Sequence, residues 1–300
     1  MILLSSFIIN LSAQNSWTKL ANFKGSQKRL AAAFSIGNKL YVGTGIDSAS
    51  GASNDFWEYD PALNKWTRKA DFSGGPRFGA IGFSIAGKGY IGLGSNGTRK
   101  LLNDLWEYDP AADKWTQKSS MGISGRVYAV GFSIGGKAYA GTGDMGQGNF
   151  AKDFWEYDPV NNLWTKKTDF PGEERQMAVG FNIETNGYLG TGLSKNGNKK
   201  DFWEFNPQNN SWTKKKDFSG TSRYGAASFS ISNNGYLVSG WDISPLQDLW
   251  EYYSINDKWG KKSNFAGVPR FNSISISASN KGYFGLGCGK SEKDDFWEFK

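Results

Sequence analysis

Residues 76–118 read PRFGAIGFSIAGKGYIGLGSNGTRKLLNDLWEYDPAADKWTQK, and this pattern returns along the chain. It holds four short segments, 78–85, 89–94, 104–108 and 114–118, set apart by turn residues. Gly87 follows the first segment, and Asp109-Pro110 follows the third, where proline presets a turn and aspartate bonds its own backbone. Glycine recurs inside the segments and no 3.6-residue apolar stripe survives, which argues against a helical repeat. Each unit therefore reads as four strands, here called a, b, c and d.

Working outward, three series mark the units. One tryptophan in each Asp-Phe/Leu-Trp-Glu segment gives Trp57, Trp106, Trp155, Trp203, Trp250 and Trp297, spaced 47 to 49 residues apart. A second gives Trp17, Trp66, Trp115, Trp164, Trp212 and Trp259, so twelve of the 13 tryptophans belong to the repeat and Trp241 stands outside it. An arginine series reads Arg29, Arg77, Arg126, Arg175, Arg223 and Arg270. Four strands in each such unit fit a propeller blade. The chain opens on a strand d at 17–23 and stops on a strand c at 295–299. The first strand is thus expected to complete the last blade, which closes the ring and removes an open sheet edge.

The pattern resembles the Kelch-repeat β-propellers of the galactose oxidase-like superfamily. Pro76-Arg77, Tyr90 ahead of Gly92 and Gly94, Tyr108-Asp109-Pro110 and Trp115 carry the resemblance, which runs from Trp17 to Lys300. It departs in one respect: the family's adjacent glycines after strand b are replaced by Gly-x-Gly, as in Gly43-Thr44-Gly45. The expected fold is all-β, a six-bladed β-propeller of four-stranded antiparallel blades, forming one domain over 14–300.

Composition agrees. Aromatic residues make up 16% and charged residues 21%, unlike a disordered chain. There are 39 glycines in 300 residues, roughly twice the usual share. Histidine is absent and Cys288 is the one cysteine, which excludes a Ser-His-Asp triad, an internal disulfide and imidazole or Cys-rich metal sites. No metal or cofactor is expected. Residues 1–13 combine an apolar run with Leu11-Ser12-Ala13, the pattern of a signal peptide that lacks its basic start, so a secreted or periplasmic location is expected. The apolar run is too short for a membrane span. The net charge of +7 comes largely from lysines of strand d, as in Lys166-Lys167, Lys214-Lys215-Lys216 and Lys261-Lys262. Lysine there guards a sheet edge, and charge spread around a rim argues against a nucleic-acid partner.

In a four-strand meander the b–c and d–a connections share one face. The b–c connections vary in length and content, so this face is read as the binding face. A group found in every unit builds blades; a group found once is a candidate for function. The twelve series tryptophans are expected in the core, the arginines on loop carbonyls, and the strand-c glutamates in cross-strand pairs such as Glu58 with Arg68 or Glu156 with Lys166. The candidate binding residues are Trp241, Asp242, Asp144, Asp47, Asn96, Phe78, Tyr128, Tyr224 and Phe271, gathered at the channel mouth. Aromatic rings among acids and amides suit a sugar or an extended peptide.

The resemblance implies a protein- or glycan-binding module that works through this face. Enzymes of the same architecture that depend on histidine are excluded. A sialic-acid mutarotase-like activity survives as the alternative, since a carboxylate and an arginine supply its acid–base groups. Its candidates are Glu173, Glu174 or Asp144 with an arginine at the channel mouth.

Overall fold

The computed structural model describes residues 15–98, 100–122 and 124–300; the signal-peptide reading of 1–13 lies outside them. Six four-stranded antiparallel sheets are arranged around a channel. Blade 1 runs Ala32–Ile36, Lys39–Gly43, Phe56–Asp60 and Lys65–Arg68 as strands a to d. Blades 2 to 5 repeat it, with a strands Ile81–Ile85, Val130–Ile134, Val179–Ile183 and Ala227–Ile231. In blade 6, Ile274–Ala278, Lys281–Gly285 and Phe296–Phe299 are joined by Trp17–Lys19, with Trp17 opposite Phe299 and Lys19 opposite Trp297. The first strand therefore closes the ring. Trp17 seats the closure, its ring 5.0 Å from both Phe265 and Phe299.

Strand a begins later than the sequence suggests, at Ile81 and not Phe78. Gly79 has φ +61°, and its counterparts Leu30, Tyr128, Met177, Gly225 and Asn272 are left-handed too. A left-handed residue breaks the pleat, so the chain turns at this point before entering the strand.

The core lies between blades. Strand-d tryptophans Trp66, Trp115, Trp164 and Trp259 are buried there, and their indole N–H groups donate to the preceding blade, as from Trp66 to the Ala21 carbonyl at 3.0 Å. The strand-c tryptophans pack against this core from its edge. They are half-buried, each donating to the aspartate two residues earlier, as from Trp106 to Asp104 at 2.8 Å.

The arginines do bond carbonyls, but they also fork onto those same aspartates. Arg77 reaches Asp104 at 2.6 and 2.9 Å and the Leu93 carbonyl at 3.0 Å. Arg126, Arg175, Arg223 and Arg270 repeat this with Asp153, Asp201, Asp248 and Asp295. Arg29 does not belong to the series. Its place is taken by Lys28, which is fully buried and bonded to Asp55 and Ser53.

The glutamate pairs are corrected as well. The register sets Glu58 against Thr67 and Tyr41, leaving Arg68 on the opposite side of the strand with Asp71. Glu58 accepts from the Tyr41 hydroxyl at 2.8 Å, and Glu156 from Tyr139 at 2.8 Å and Lys137 at 2.7 Å. Lys166 pairs with Asp169. Alternate strand-d lysines turn inward, Lys215 to the half-buried Glu204 and Lys262 to the buried Glu251, so the lysine runs neutralise strand-c carboxylates as well as lining the rim.

Candidate functional site

The channel mouth is built from backbone. Each left-handed residue donates its N–H to the carbonyl of its counterpart in a neighbouring blade: Gly79 to Leu30, Tyr128 to Gly79, Met177 to Tyr128, Gly225 to Met177, Asn272 to Gly225 and Leu30 to Asn272, at 2.8–3.0 Å. These six bonds form a closed ring around a small cavity of about 160 Å³. A second ring ties each blade to the next through the last glycine of Gly-x-Gly, as from Gly94 N–H to the Arg126 carbonyl at 2.8 Å. The mouth is consequently rigid, and the side chains around it are held by the frame.

The residue after each buried cation bridges the residue that follows strand b. These pairs are Arg29–Ile46, Phe78–Ser95, Val127–Asp144, Gln176–Leu193, Tyr224–Trp241 and Phe271–Cys288. Trp241, Tyr224, Phe271, Phe78, Tyr128 and Asp144 thus lie on the one face, all half-buried. Two aromatic groups form within this set. Trp241 packs edge-on against Phe271 at 4.9 Å, with Tyr224 6.4 Å from Phe271. Across the mouth Phe78 and Tyr128 lie 6.1 Å apart. Burial raises the Tyr128 hydroxyl's pKa, with the Arg29 charge opposing and Asp144 adding to the rise.

Three of the acid and amide candidates face elsewhere. Asp47 is buried and accepts from the N–H groups of Ala49 at 2.8 Å and Ser50 at 2.6 Å, and from the Ser50 hydroxyl. The Ser50 hydroxyl, ahead of the backbone donors, holds its carboxyl down at about 2. Asn96 likewise bonds Thr98 within its own loop, at 3.0 Å to the N–H. Both shape loops. Asp242 turns outward to the cleft between blades 4 and 5, 3.4 Å from the Asn198 amide. Asp144 accepts from the Gly146 N–H at 2.7 Å, so one of its oxygens serves its own turn.

Among the acid–base candidates, Glu173 accepts from Lys199 at 2.5 Å, Ser194 at 2.9 Å and Asn196 at 3.0 Å. Lys199, then the hydroxyl and the amide, lower its pKa to about 2, far from the range in which a carboxyl shuttles protons at neutral pH. Glu174 is exposed. The series arginines are buried in their cradles, away from the mouth. Arg29 is the arginine that stands there. It pairs with Glu292, whose Oε1 also accepts from the Ser48 hydroxyl at 2.6 Å. Glu292 and Ser48 escaped the sequence reading. The signal for Arg29 was present: Lys28, not Arg29, lies 49 residues before Arg77, the same interval that separates Arg77 from Arg126. Among the described residues no group of three or more Cys, Asp or Glu is placed to hold a metal ion, and no helix is long and apolar enough to cross a membrane.

Six closed four-stranded blades around a channel define a β-propeller. A family model described as the KLHDC2/KLHL20/DRC7 Kelch-repeats domain matches residues 4–178, more than half of the sequence, and the chain belongs to the Kelch-repeat family. No curated protein matches it. Among solved structures it is similar to one titled "Structure of YjhT", with 20% identity, a TM-score of 0.79, and coverage of 92% of this chain and 95% of that one. At that identity the likeness is one of fold.

Proposed function

We propose that the chain is an extracytoplasmic binding module that takes a peptide or a glycan on its b–c/d–a face, at the channel mouth. The observation that carries this reading is the Trp241–Phe271–Tyr224 group. Its Trp241 breaks the repeat, and the group is only half-buried and held on a hydrogen-bonded backbone frame. Aromatic rings of fixed orientation beside polar groups are what binding sites for such ligands offer. The test is Trp241→Ala, screened on glycan and peptide arrays against the parent chain. Binding should weaken by about 1–3 kcal/mol, as for a central aromatic contact, with the thermal midpoint nearly unchanged. A large fall in midpoint with unaltered binding would make Trp241 a packing residue and remove the reading.

One observation favours a second reading, sugar mutarotation: Arg29 and Glu292 bring a guanidinium and a carboxylate together at the mouth. Glu292→Gln should then abolish any acceleration of anomer exchange followed by NMR. Equal exchange with and without the parent protein would end this reading.

A further inference from the structure

The two halves of the loop face differ in chemistry. In blade 5 the b–c connection is a tight turn, pinned by the Trp241–Pro245 bridge and by the Asp242 N–H donating to the Ser244 carbonyl at 3.2 Å. Ile243 sits at its tip, 91% exposed. Leu246 of the same turn bridges Arg270, two residues after Val268, which is 49% exposed. Two large aliphatic side chains thus stand in water, Ile243 two residues from Trp241 and Val268 three from Phe271, whose half-buried rings touch each other. Soluble monomers seldom leave such a surface contiguous and open unless it binds something.

Beside this patch a cleft of about 610 Å³ runs between blades 4 and 5. Ser219, Gly220, Thr221 and Ser222 line it together with Lys200, Lys261 and Trp250. Of its two carboxylates, Asp248 is engaged by Arg223 at 2.6 and 2.8 Å and by the Trp250 indole at 2.7 Å. The other, Asp242, faces the Asn198 amide. Among the described residues neither Lys200 nor Lys261 has a carboxylate partner; Lys261 lies 5.9 Å over the Trp250 ring. With Asp248 neutralised by Arg223, Lys200 and Lys261 outweigh Asp242, so the cleft carries a net positive charge, and Asp242 joins it to the turn that bears Trp241 and Ile243.

We infer that this half of the face docks an acidic peptide segment. The segment lies extended, with one large apolar side chain on Ile243, Trp241 and Val268 and its carboxylates in the cleft against Lys200 and Lys261. This rests on the reading of the loop face as a binding surface and narrows it to one ligand class. A nucleic acid would match the lysines but offers nothing to Ile243 and Val268. A neutral glycan would use the rings and leave the lysines unmatched. The charge term speeds and orients docking, and the apolar anchor holds it.

The test pans a random library of short displayed peptides on the whole chain, then measures the best binder by fluorescence anisotropy at low and high salt. Enriched sequences should combine Asp or Glu with Trp, Phe or Leu. Ile243→Asp should weaken the binder by roughly tenfold or more. The double change Lys200→Glu, Lys261→Glu should weaken it and erase its salt dependence. All three positions are exposed, so the thermal midpoint should hold in each variant. No enrichment, enrichment of basic peptides, displacement by a single-stranded DNA oligonucleotide, or undiminished binding by Ile243→Asp would each overturn the inference. Should a glycan bind instead, lost in Trp241→Ala but kept in the Ile243 and lysine variants, the acidic-peptide inference falls while the loop-face reading stands. If nothing binds and Trp241→Ala is silent, both fall.

Discussion

Blade 1 and blades 2 to 6 solve one packing problem in two ways. In blades 2 to 6 an arginine forks onto an aspartate, caps the carbonyl sixteen residues further on, and in Arg77, Arg175, Arg223 and Arg270 lies 4.7–4.8 Å over a phenylalanine ring. In blade 1 the same cradle holds Lys28, 5.5 Å from the Phe23 ring, with Ser53 as an additional acceptor. The corresponding residues in the other blades are Leu102, Ala151, Lys199, Leu246 and Lys293, each donating its N–H to the same glycine carbonyl as Ser53 does. The difference teaches that the frame requires a buried cation at this point and tolerates an ammonium if a hydroxyl is supplied. It also explains the mouth. With the cation at 28, Arg29 falls one residue further on, out of the cradle and onto the b–c/d–a face.

The largest effect should come from breaking the one blade assembled from both ends of the chain. Trp17 contacts Phe229, Phe265, Phe284 and Phe299, all on strands or loops near the other terminus. Trp17→Ala should destabilise by about 3–5 kcal/mol and lower the urea m-value, because blade 6 opens before the rest. Trp259→Ala, in the continuous blade 5, should lose comparable stability with the m-value retained. Equal m-values for both would show that closure is not the weak point.

Acid should act next, and across all the blades. Burial alone would push Asp55, Asp153, Asp201, Asp248 and Asp295 up, but Lys28 in the first case and the arginines in the others overcome it, holding each below the usual 3.8. A carboxyl whose folded pKa is depressed contributes stability that is present above its unfolded value and lost as pH falls through its folded one. Stability should therefore be level from neutral pH down to about 4 and drop below it. A chemical-denaturation series against pH checks this, and a decline beginning near pH 6 would contradict it.

A smaller change sharpens the contrast itself. Lys28→Arg restores the fork to Asp55 and brings a donor toward the Thr44 carbonyl, so it should stabilise by about 1 kcal/mol. Burial lowers the Lys28 pKa despite Asp55, a strain that a guanidinium does not share. In the Lys28→Arg background Ser53→Ala should cost less than in the parent, because Ser53 is then relieved of the ammonium. A double-mutant cycle measures the coupling. A destabilised Lys28→Arg would mean that Phe23 and Gly25 leave blade 1 too narrow for arginine.

The same cradle shows what was legible in the sequence. Six copies of the tryptophan and glycine patterns, with Asp-Pro in three of them, made the blades plain, because each repeat reports the same packing. Strand starts were less plain, since Tyr128, Met177 and Leu30 adopt left-handed conformations that their identities do not announce. At the mouth, Trp241 stood out by breaking the pattern. Asp47 and Asn96 did not differ in sequence from ligand-facing residues: an aspartate or asparagine that bonds its own loop is written with the same letter. Arg29 reads as a member of the arginine series by residue type, although Lys28 keeps the 49-residue interval to Arg77.

The smallest effect concerns the middle residue of Gly-x-Gly. Thr44 accepts from the Ala32 N–H at 3.3 Å, and Ser239 donates to the Leu246 carbonyl at 3.1 Å. Leu93 and Leu286 fill the same place without polar atoms, while the Thr142 and Thr191 hydroxyls are buried and, among the described residues, have no partner. All these positions have φ between +56° and +63°, so a threonine-to-valine change keeps both the β-branch and the backbone strain. Removing an unsatisfied hydroxyl removes its desolvation penalty, whereas removing a bonded one orphans its partner. Thr142→Val and Thr191→Val should therefore be neutral or stabilising by up to about 1 kcal/mol, and Thr44→Val destabilising by about 1 kcal/mol. Thermal midpoints of the three variants order them directly. A destabilised Thr142→Val would mean that its hydroxyl holds an internal water between blades, and that the repeat is more uniform at this position than its bonds to protein atoms indicate.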